Sequence, residues 1–170
     1  MTRPQVGMLM GSLSDKPVLE AAAGILAEFG VEFEWRVLSA HRTPAQAHEY
    51  VSTAEERGIR VMICAAGMAA HLAGVTAAGC ILPVIGVPVG ASLSGLDALL
   101  WTVQMPPGIP VATMGIGRAG AKNAALHAIQ ILALSDDGLR SKLLQHREAQ
   151  AQKVLASSDE LQKSIGEMFG

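Results

Sequence analysis

The chain has 170 residues, half of them hydrophobic and only 4% aromatic, with a formal net charge of −2 and a mean hydropathy of +0.34. One domain of this size can bury a core without disulfides or a metal, and the slightly acidic balance excludes the basic stripe that nucleic-acid binding requires. No secretory leader is recognisable, and the apolar stretches are too short to span a bilayer. We therefore expect a cytoplasmic protein that binds neither membrane nor nucleic acid and hides apolar surface in an oligomer.

Short apolar runs alternate with longer helical patterns over residues 1–134. The sequence predicts five strands, at Val6 to Met10, Phe33 to Leu38, Val61 to Ala65, Pro83 to Val87 and Pro110 to Met114. It predicts helices at Pro17 to about Phe29, Pro44 to about Arg57, a short segment carrying His71, Gly95 to Val103 and about Ala119 to Leu134. Apolar strands separated by helices are typical of a parallel sheet covered on both faces. We expect an α/β fold, a three-layer α/β/α sandwich of flavodoxin or Rossmann type, as the nucleotide-binding catalytic domain.

Residues 135–170 follow the completed sheet and have a different pattern. Ser135-Asp136-Asp137 predicts the cap of a helix from about Gly138 to Ala156, and Ser157-Ser158-Asp159 predicts the cap of another helix to about Met168. An apolar stripe follows both helices. We expect this C-terminal helical extension to pack on a neighbouring subunit, the alternative being that it folds back on its own sheet.

The loop after the first strand carries groups suited to an anionic substrate. In Gly11-Ser12-Leu13-Ser14-Asp15, two hydroxyls and free backbone amides can bind a phosphate at the start of a helix. Asp15 can accept hydrogen bonds from ribose hydroxyls. It can equally cap the helix, and the two roles are compatible.

The loop after the second strand combines an imidazole and a guanidinium. In Ser39-Ala40-His41-Arg42-Thr43-Pro44, Thr43 can cap the next helix and Pro44 suits its first turn. His41 can move a proton near neutral pH, and Arg42 can hold a carboxylate or phosphate in bidentate geometry. A loop histidine that only satisfies a hydrogen bond is the structural alternative.

The third predicted strand ends in Gly67-Met68-Ala69-Ala70-His71-Leu72, where a structural role for His71 and a substrate contact are equally consistent with the pattern. Ligands of parallel α/β sheets bind at the carboxyl ends of the strands. All three loops lie at that end, so we expect their polar side chains to converge on one crevice. These side chains are Ser12, Asp15, His41, Arg42 and His71.

Two other patterns predict structure rather than chemistry. Gly115-Ile116-Gly117-Arg118-Ala119-Gly120 matches GxGxxG, but it follows the last strand, whereas the dinucleotide fingerprint follows the first. We expect its glycines to allow tight packing and a close approach of backbone to ligand. Cys64 and Cys80 form no CxxC pair, and no His/Cys cluster has zinc spacing, which predicts two buried, inert thiols and no metal.

Eight segments in a fixed order carry a family resemblance. They are Met10–Asp15, Ser39–Pro44, Ala69–Leu72, Gly86–Val89, Leu93–Asp97, Val103–Pro106, Gly108–Thr113 and Ala119–Leu126. Together they cover roughly residues 6 to 155 and are far more specific than any one motif. The chain resembles the N5-carboxyaminoimidazole ribonucleotide mutases, the class I family of bacterial purine synthesis.

The resemblance implies a homo-octamer of flavodoxin-like subunits that moves a carboxylate from a carbamate nitrogen to an imidazole carbon, through carbon dioxide, without metal or cofactor. By motif position it implies that His41 is the acid/base that protonates and deprotonates the ring carbon, and that small-residue loops trap the gas. It implies that Ser12, Asp15 and Arg42 bind the ribonucleotide. We take as further substrate-binding candidates their companions in the three loops, Gly11, Ser39, Ala40, Gly67, Ala70, His71 and Leu72.

Three positions depart from the class I pattern. Met68 stands where the family commonly has glycine, Ala73 where it has proline, and Val89-Gly-Ala-Ser-Leu93 is one residue short. That length resembles the class II aminoimidazole ribonucleotide carboxylases, which take free carbon dioxide but usually have lysine in place of Arg42. Ala-Gly-Met and Gly-Ala-Ser also resemble a synthase that carboxylates nicotinate nucleotides. His41-Arg42, His71 and the block 103–113 favour the mutase, with those two carboxylases and a non-catalytic nucleotide-binding protein as alternatives.

Overall fold

The computed structural model describes residues 3–91 and 93–169. This part of the chain separates into two units that divide after Leu132. The first unit contains a five-stranded sheet and the helices that cover it, and the second is one long helix.

Strands and helices alternate through the first unit. They are β1 (Val6–Met10), α1 (Lys16–Phe29), β2 (Phe33–Val37), α2 (Pro44–Ser52), β3 (Val61–Gly67), α3 (Leu72–Gly79), β4 (Val84–Val89), α4 (Leu96–Val103), β5 (Ala112–Thr113) and α5 (Gly117–Leu132). All neighbouring strands are parallel, in the order β2-β1-β3-β4-β5. This is the strand order of flavodoxin-like folds, so the predicted α/β architecture is confirmed.

The core lies on both faces of the central strands. Every residue of β1 and β4 and the first five of β3 are buried, as the continuous apolar runs predict. Met62 and Cys64 of β3 pack into one cluster with Tyr50 and Val51 of α2 and Leu72 at the start of α3. Helices α1 and α5 pack against each other and against β1, β3 and β4.

Small residues bring α5 close to its neighbours, which explains the high alanine and glycine content of this core. Its buried positions are Gly120, Ala121, Ala124, Ala125, Ala128, Ile129 and Leu132. A Cβ at Gly120 would clash with the backbone carbonyl of Gly115, so the first turn of α5 folds tightly over the loop before it. The packing role expected of the GxGxxG segment is confirmed at this glycine.

The second predicted helix is shorter than expected. It ends at Ser52 and is followed by a 3₁₀ turn at Glu55–Arg57. Gly58, with φ of +98°, ends this segment. The Thr53 hydroxyl donates to the Glu49 carbonyl at 2.8 Å, and the Arg57 guanidinium donates to the Tyr50 carbonyl at 2.9 Å. The Glu49 carbonyl also accepts from the Thr53 amide at 3.2 Å, whereas the Ala54 amide donates to Val51. The Arg57 side chain therefore satisfies the Tyr50 carbonyl, which a continuing helix would pair with the Ala54 amide.

The two cysteines differ in their surroundings. Cys64 is buried in β3 beside the Thr76 hydroxyl, and burial raises the pKa of its thiol to about 12, so it stays protonated and inert. Cys80 is only partly buried. The expectation of two buried thiols is therefore correct for Cys64 and wrong for Cys80.

The second unit is α6 (Asp137–Phe169). The Asp136 carboxylate accepts from the Leu139 amide at 2.9 Å, which confirms the first predicted cap. The second predicted cap is wrong, because the helix runs unbroken through Ser157, whose hydroxyl donates to the Lys153 carbonyl at 3.0 Å inside the helix. None of the described helices is both long enough and apolar enough to cross a membrane.

Candidate functional site

The carboxyl ends of the first four strands open into one crevice of about 640 Å³. It lies over neighbouring strands β1 and β3, from which the chain departs to opposite sides of the sheet, the usual ligand site of such folds. The lining residues after β1 and β2 are Gly11, Ser12, Ser14, Asp15, Ser39, Ala40, His41 and Arg42. Those at the ends of β3 and β4 are Ala66, Gly67, Met68, Ala69, His71, Leu72, Val89, Gly90 and Ala91.

The loop after β1 is held by a reciprocal cap. Asp15 Oδ2 accepts from the Ser12 amide at 3.1 Å, and Ser12 Oγ accepts from the Ser14 amide at 3.4 Å and the Ser14 hydroxyl at 2.9 Å. Burial raises the pKa of Asp15 above its ordinary value, against the opposing effects of its hydrogen bonds to Ser12 and Ser14 and of the Arg42 charge. Ser12 is the cap residue of this turn, and Asp15 is its reciprocal partner. Asp15 also stands at the cap position of α1 but makes no side-chain hydrogen bond to that helix, so the predicted capping of the helix by Asp15 is wrong. Its carboxylate borders the crevice.

Ser39 organises the loop after β2. Its hydroxyl accepts from the amides of His41 and Arg42 at 3.3 and 3.2 Å, and its own amide donates to Thr43 Oγ1 at 2.8 Å. The Thr43 hydroxyl donates back to the Ser39 carbonyl at 3.1 Å. Thr43 occupies the cap position of α2, but its side chain makes no capping hydrogen bond to that helix, because it bonds to Ser39 within the loop instead. The predicted cap is therefore wrong. Pro44 lies in the first turn of α2, as predicted. The hydroxyl network fixes the backbone that presents both functional side chains.

Arg42 connects the first two loops. Its Nη2 donates to the Gly11 carbonyl at 2.6 Å, and its Nε donates to Ser39 Oγ at 3.4 Å. The guanidinium is exposed and reaches the loop between β1 and α1. The Ser12 and Ser14 amides of that loop are engaged in the reciprocal cap and are not free, contrary to prediction. This arrangement places a positive charge where a phosphate bound to that loop would lie.

His41 and His71 meet across the crevice. His41 Nε2 lies 2.8 Å from His71 Nδ1, and the two rings are edge to face, with centroids 5.0 Å apart. His71 also contacts Trp101 of α4, and these two rings lie edge to face with centroids 5.0 Å apart. An imidazole pair at hydrogen-bond distance can hold and pass one proton.

The structure shows the surroundings of the positions around the end of β3 and the loop after it, two of which depart from the family pattern. A Cβ at Gly67 would lie 3.1 Å from the Val89 carbonyl, so glycine lets the ends of β3 and β4 approach each other. Met68 is exposed and has φ of +55°, a backbone conformation that favours glycine. Ala73, the second departure from the family pattern, is buried in α3. The shortened segment 89–93 includes Ser92, which lies outside the described residues.

Ten of the eleven candidate site residues line this crevice. The exception is Ala70, which is buried and does not line it. The crevice lining at the end of β4 was not predicted, because its valine, glycine and alanine carry no reactive group. The contact of Trp101 with His71 was not predicted either, since the sequence shows only that Trp101 is a large aromatic residue in a chain with few of them. Within the described residues, no three or more His, Cys, Asp or Glu side chains are grouped so as to hold a metal ion.

Comparisons with known proteins cover both the sheet and the crevice loops. A family model described as AIR carboxylase matches residues 5–153. The chain is 58% identical over 146 residues to N5-carboxyaminoimidazole ribonucleotide mutase of Pyrococcus abyssi, covering 85% of this chain and 83% of that protein. It is 55% identical over 160 residues to the Bacillus subtilis protein of the same name, covering 94% of this chain and 99% of that protein. A crystal structure of Treponema denticola PurE superposes with a TM-score of 0.84 at 31% identity, covering 94% of this chain and 99% of that one.

Proposed function

The chain belongs to the AIR carboxylase family, and we propose that it converts N5-carboxyaminoimidazole ribonucleotide into 4-carboxy-5-aminoimidazole ribonucleotide. It is an enzyme, an isomerase of purine biosynthesis, and the family resemblance drawn from its motifs is confirmed. The observation that carries the mechanism is the His41–His71 pair at the mouth of a crevice lined by small residues.

Proton balance defines what the protein must supply. When the bond between the carbamate nitrogen and the carboxyl carbon breaks, its electron pair stays on nitrogen, which takes up one proton as carbon dioxide is released. When the ring carbon attacks carbon dioxide, a carbon–carbon bond forms and that ring carbon loses one proton. One group that first donates and then accepts a proton is sufficient. We assign this role to His41, which protonates the ring carbon in the reverse direction.

The ribonucleotide is bound by the first two loops. We assign its phosphate to the hydroxyls of Ser12 and Ser14 and to the Arg42 guanidinium, whose Nη2 lies 2.6 Å from the Gly11 carbonyl oxygen. We assign a ribose hydroxyl to Asp15, whose carboxylate lines the same crevice. This arrangement directs the imidazole base towards His41 and the ends of β3 and β4.

Carbon dioxide is retained in the part of the crevice that has small side chains. Ala66 and Gly67 line it at the end of β3 and Ala69 just after that strand, and Gly90 and Ala91 line it after β4. These residues leave room for a small apolar molecule and offer no side-chain nucleophile that would capture it. The gas therefore stays beside the ring carbon until the new bond forms.

We also propose that copies of the chain assemble in the cytoplasm into a homo-octamer. Helix α4 exposes Leu96, Leu100 and Val103, and α6 exposes a second apolar set with Leu161 as a member. Apolar side chains in such numbers are typical of surfaces that are covered by other subunits. The subunit number follows the family resemblance, and the free thiols of Cys64 and Cys80 fit a reducing compartment.

One labelling experiment tests the reaction and its alternatives. The carbamate nucleotide, with ¹³C in its carboxyl group, is incubated with the protein in unlabelled bicarbonate, and the carboxylated imidazole is analysed by mass spectrometry. We expect rapid product formation with the label retained. Product that carries unlabelled carbon, or that forms equally fast from aminoimidazole ribonucleotide and bicarbonate, would support the carboxylase that uses free carbon dioxide. Nucleotide binding without product would support a non-catalytic protein, and carboxylation of a nicotinate nucleotide instead would support the synthase.

A further inference from the structure

We propose that Trp101 is a positioning residue for the proton-transfer step: through His71, it holds the imidazole of His41 in its working orientation. The proposal rests on the proposed catalytic role of His41. It concerns a residue of α4 that is 56% exposed, is not among the crevice-lining residues and contacts the histidine pair through His71.

The three rings form a continuous row. Trp101 and His71 have centroids 5.0 Å apart and an interplanar angle of 84°. His71 and His41 repeat this geometry at 5.0 Å and 89°, with a nitrogen–nitrogen distance of 2.8 Å. Edge-to-face contact at these separations is a favourable arrangement for aromatic rings. Rotation of the middle ring would break the hydrogen bond to His41, so the indole that restricts His71 also orients His41.

The local sequence leaves His71 in need of such support. It stands directly before α3, but its side chain makes no capping hydrogen bond to that helix. Its neighbours in the loop are Met68, whose side chain is 61% exposed, and the small residues Ala69 and Ala70. Trp101 approaches from a different element, α4, and so fixes the ring independently of this loop. The charged side chains that share the crevice with the pair are Asp15 and Arg42.

A double-mutant cycle tests whether Trp101 acts through His71. In the wild-type background we expect Trp101→Leu to lower kcat roughly two- to tenfold, the range of one edge-to-face contact, with KM unchanged. Trp101→Phe keeps an aromatic edge and should recover most of the rate. In a His71→Asn background, Trp101→Leu should have no further effect, because the contact is already lost. The proposal would be overturned if Trp101→Leu lowered kcat equally in both backgrounds, changed KM alone, or prevented assembly.

A second measurement does not depend on turnover. Two-dimensional NMR of the imidazole nitrogens of His41 and His71 in the full-length protein reports their tautomers as the pH is varied. We expect Trp101→Leu to average the tautomer signals of both rings, with Trp101→Phe close to wild type. Unchanged spectra would overturn the positioning role whether or not the protein is active. An inactive wild-type protein with the expected spectral change would instead count against the proposed function alone.

Discussion

His41 and His71 come from loops after different strands, yet His41 Nε2 lies 2.8 Å from His71 Nδ1. At that distance one nitrogen donates and the other accepts, so the tautomer of one ring fixes the tautomer of the other. In the proposed reaction His71 controls where the proton of His41 is held before it is transferred.

Replacement of His41 by asparagine should abolish catalysis and leave the structure intact. Asparagine keeps polarity and a similar size in an exposed loop that Ser39 organises through the backbone, but it cannot shuttle a proton. We expect kcat to fall by about 10²–10⁴-fold or more, with nucleotide binding, melting temperature and assembly preserved. Formation of the C-carboxylated imidazole is the measurement. The exposed His48 on α2, outside the crevice, provides the control His48→Asn, and near-normal turnover by His41→Asn would move the catalytic assignment to His71.

Replacement of Arg42 by lysine should weaken substrate binding more than it slows chemistry. The guanidinium donates to the Gly11 carbonyl and to Ser39 at once, and an ammonium cannot reproduce that fork. We expect KM to rise by about tenfold, since hydrogen bonds to charged groups are the strong ones. Arg118→Lys is the matched control, because Arg118 bonds to the Pro17 carbonyl and does not line the crevice. An unchanged KM in Arg42→Lys would remove Arg42 from the site.

The sequence predicted the sheet and the convergence of loops because both depend on periodic patterns. Buried parallel strands are continuous apolar runs, and their carboxyl ends meet at one edge whatever the loop conformations. The contact between His71 and Trp101 could not be predicted, because it depends on how α4 is rotated against the sheet. Ser157 shows a different limit: a serine followed by Ser-Asp suits a cap, but its hydroxyl can also bond backwards within a helix, and the structure has the second arrangement.

Met68 provides a test of backbone strain at the mouth of the crevice. Its φ of +55° is costly for a residue with a Cβ. We therefore expect Met68→Gly to be more stable than Met68→Ala by about 1 kcal/mol, which corresponds to about 2–4 °C in melting temperature. Both variants remove the same side chain from the crevice, so their difference isolates the backbone. Equal melting temperatures would contradict the strain. If neither variant changes rate or carboxyl-donor preference, Met68 contributes only packing.

Asp15 should make the stability of the protein depend on pH in the acid range. Burial raises its pKa in the folded state above the ordinary 3.8, so the folded protein holds this proton to a higher pH than the unfolded chain does. The stability linked to the group is fully present below the unfolded pKa and is lost as pH rises through the folded pKa. Asparagine stays neutral and its oxygen can still accept from the Ser12 amide. The melting temperature of Asp15→Asn relative to wild type should therefore increase from acid to neutral pH, and a constant difference would contradict this.

Removal of α6 should weaken assembly without unfolding the sheet. Residues up to Leu132 form a unit of their own, whereas α6 leaves apolar side chains exposed, including Leu161 at 58%. If that surface is covered by another subunit, a chain truncated after Leu134 should have a lower mass in light scattering at the same concentration, with its melting transition retained. Leu161→Ser should shift the assembly in the same direction. Gln162→Ser, at the next exposed position of the same helix, should leave the mass unchanged. A truncated chain with the subunit number of the full-length protein would show that α6 does not hold the oligomer together.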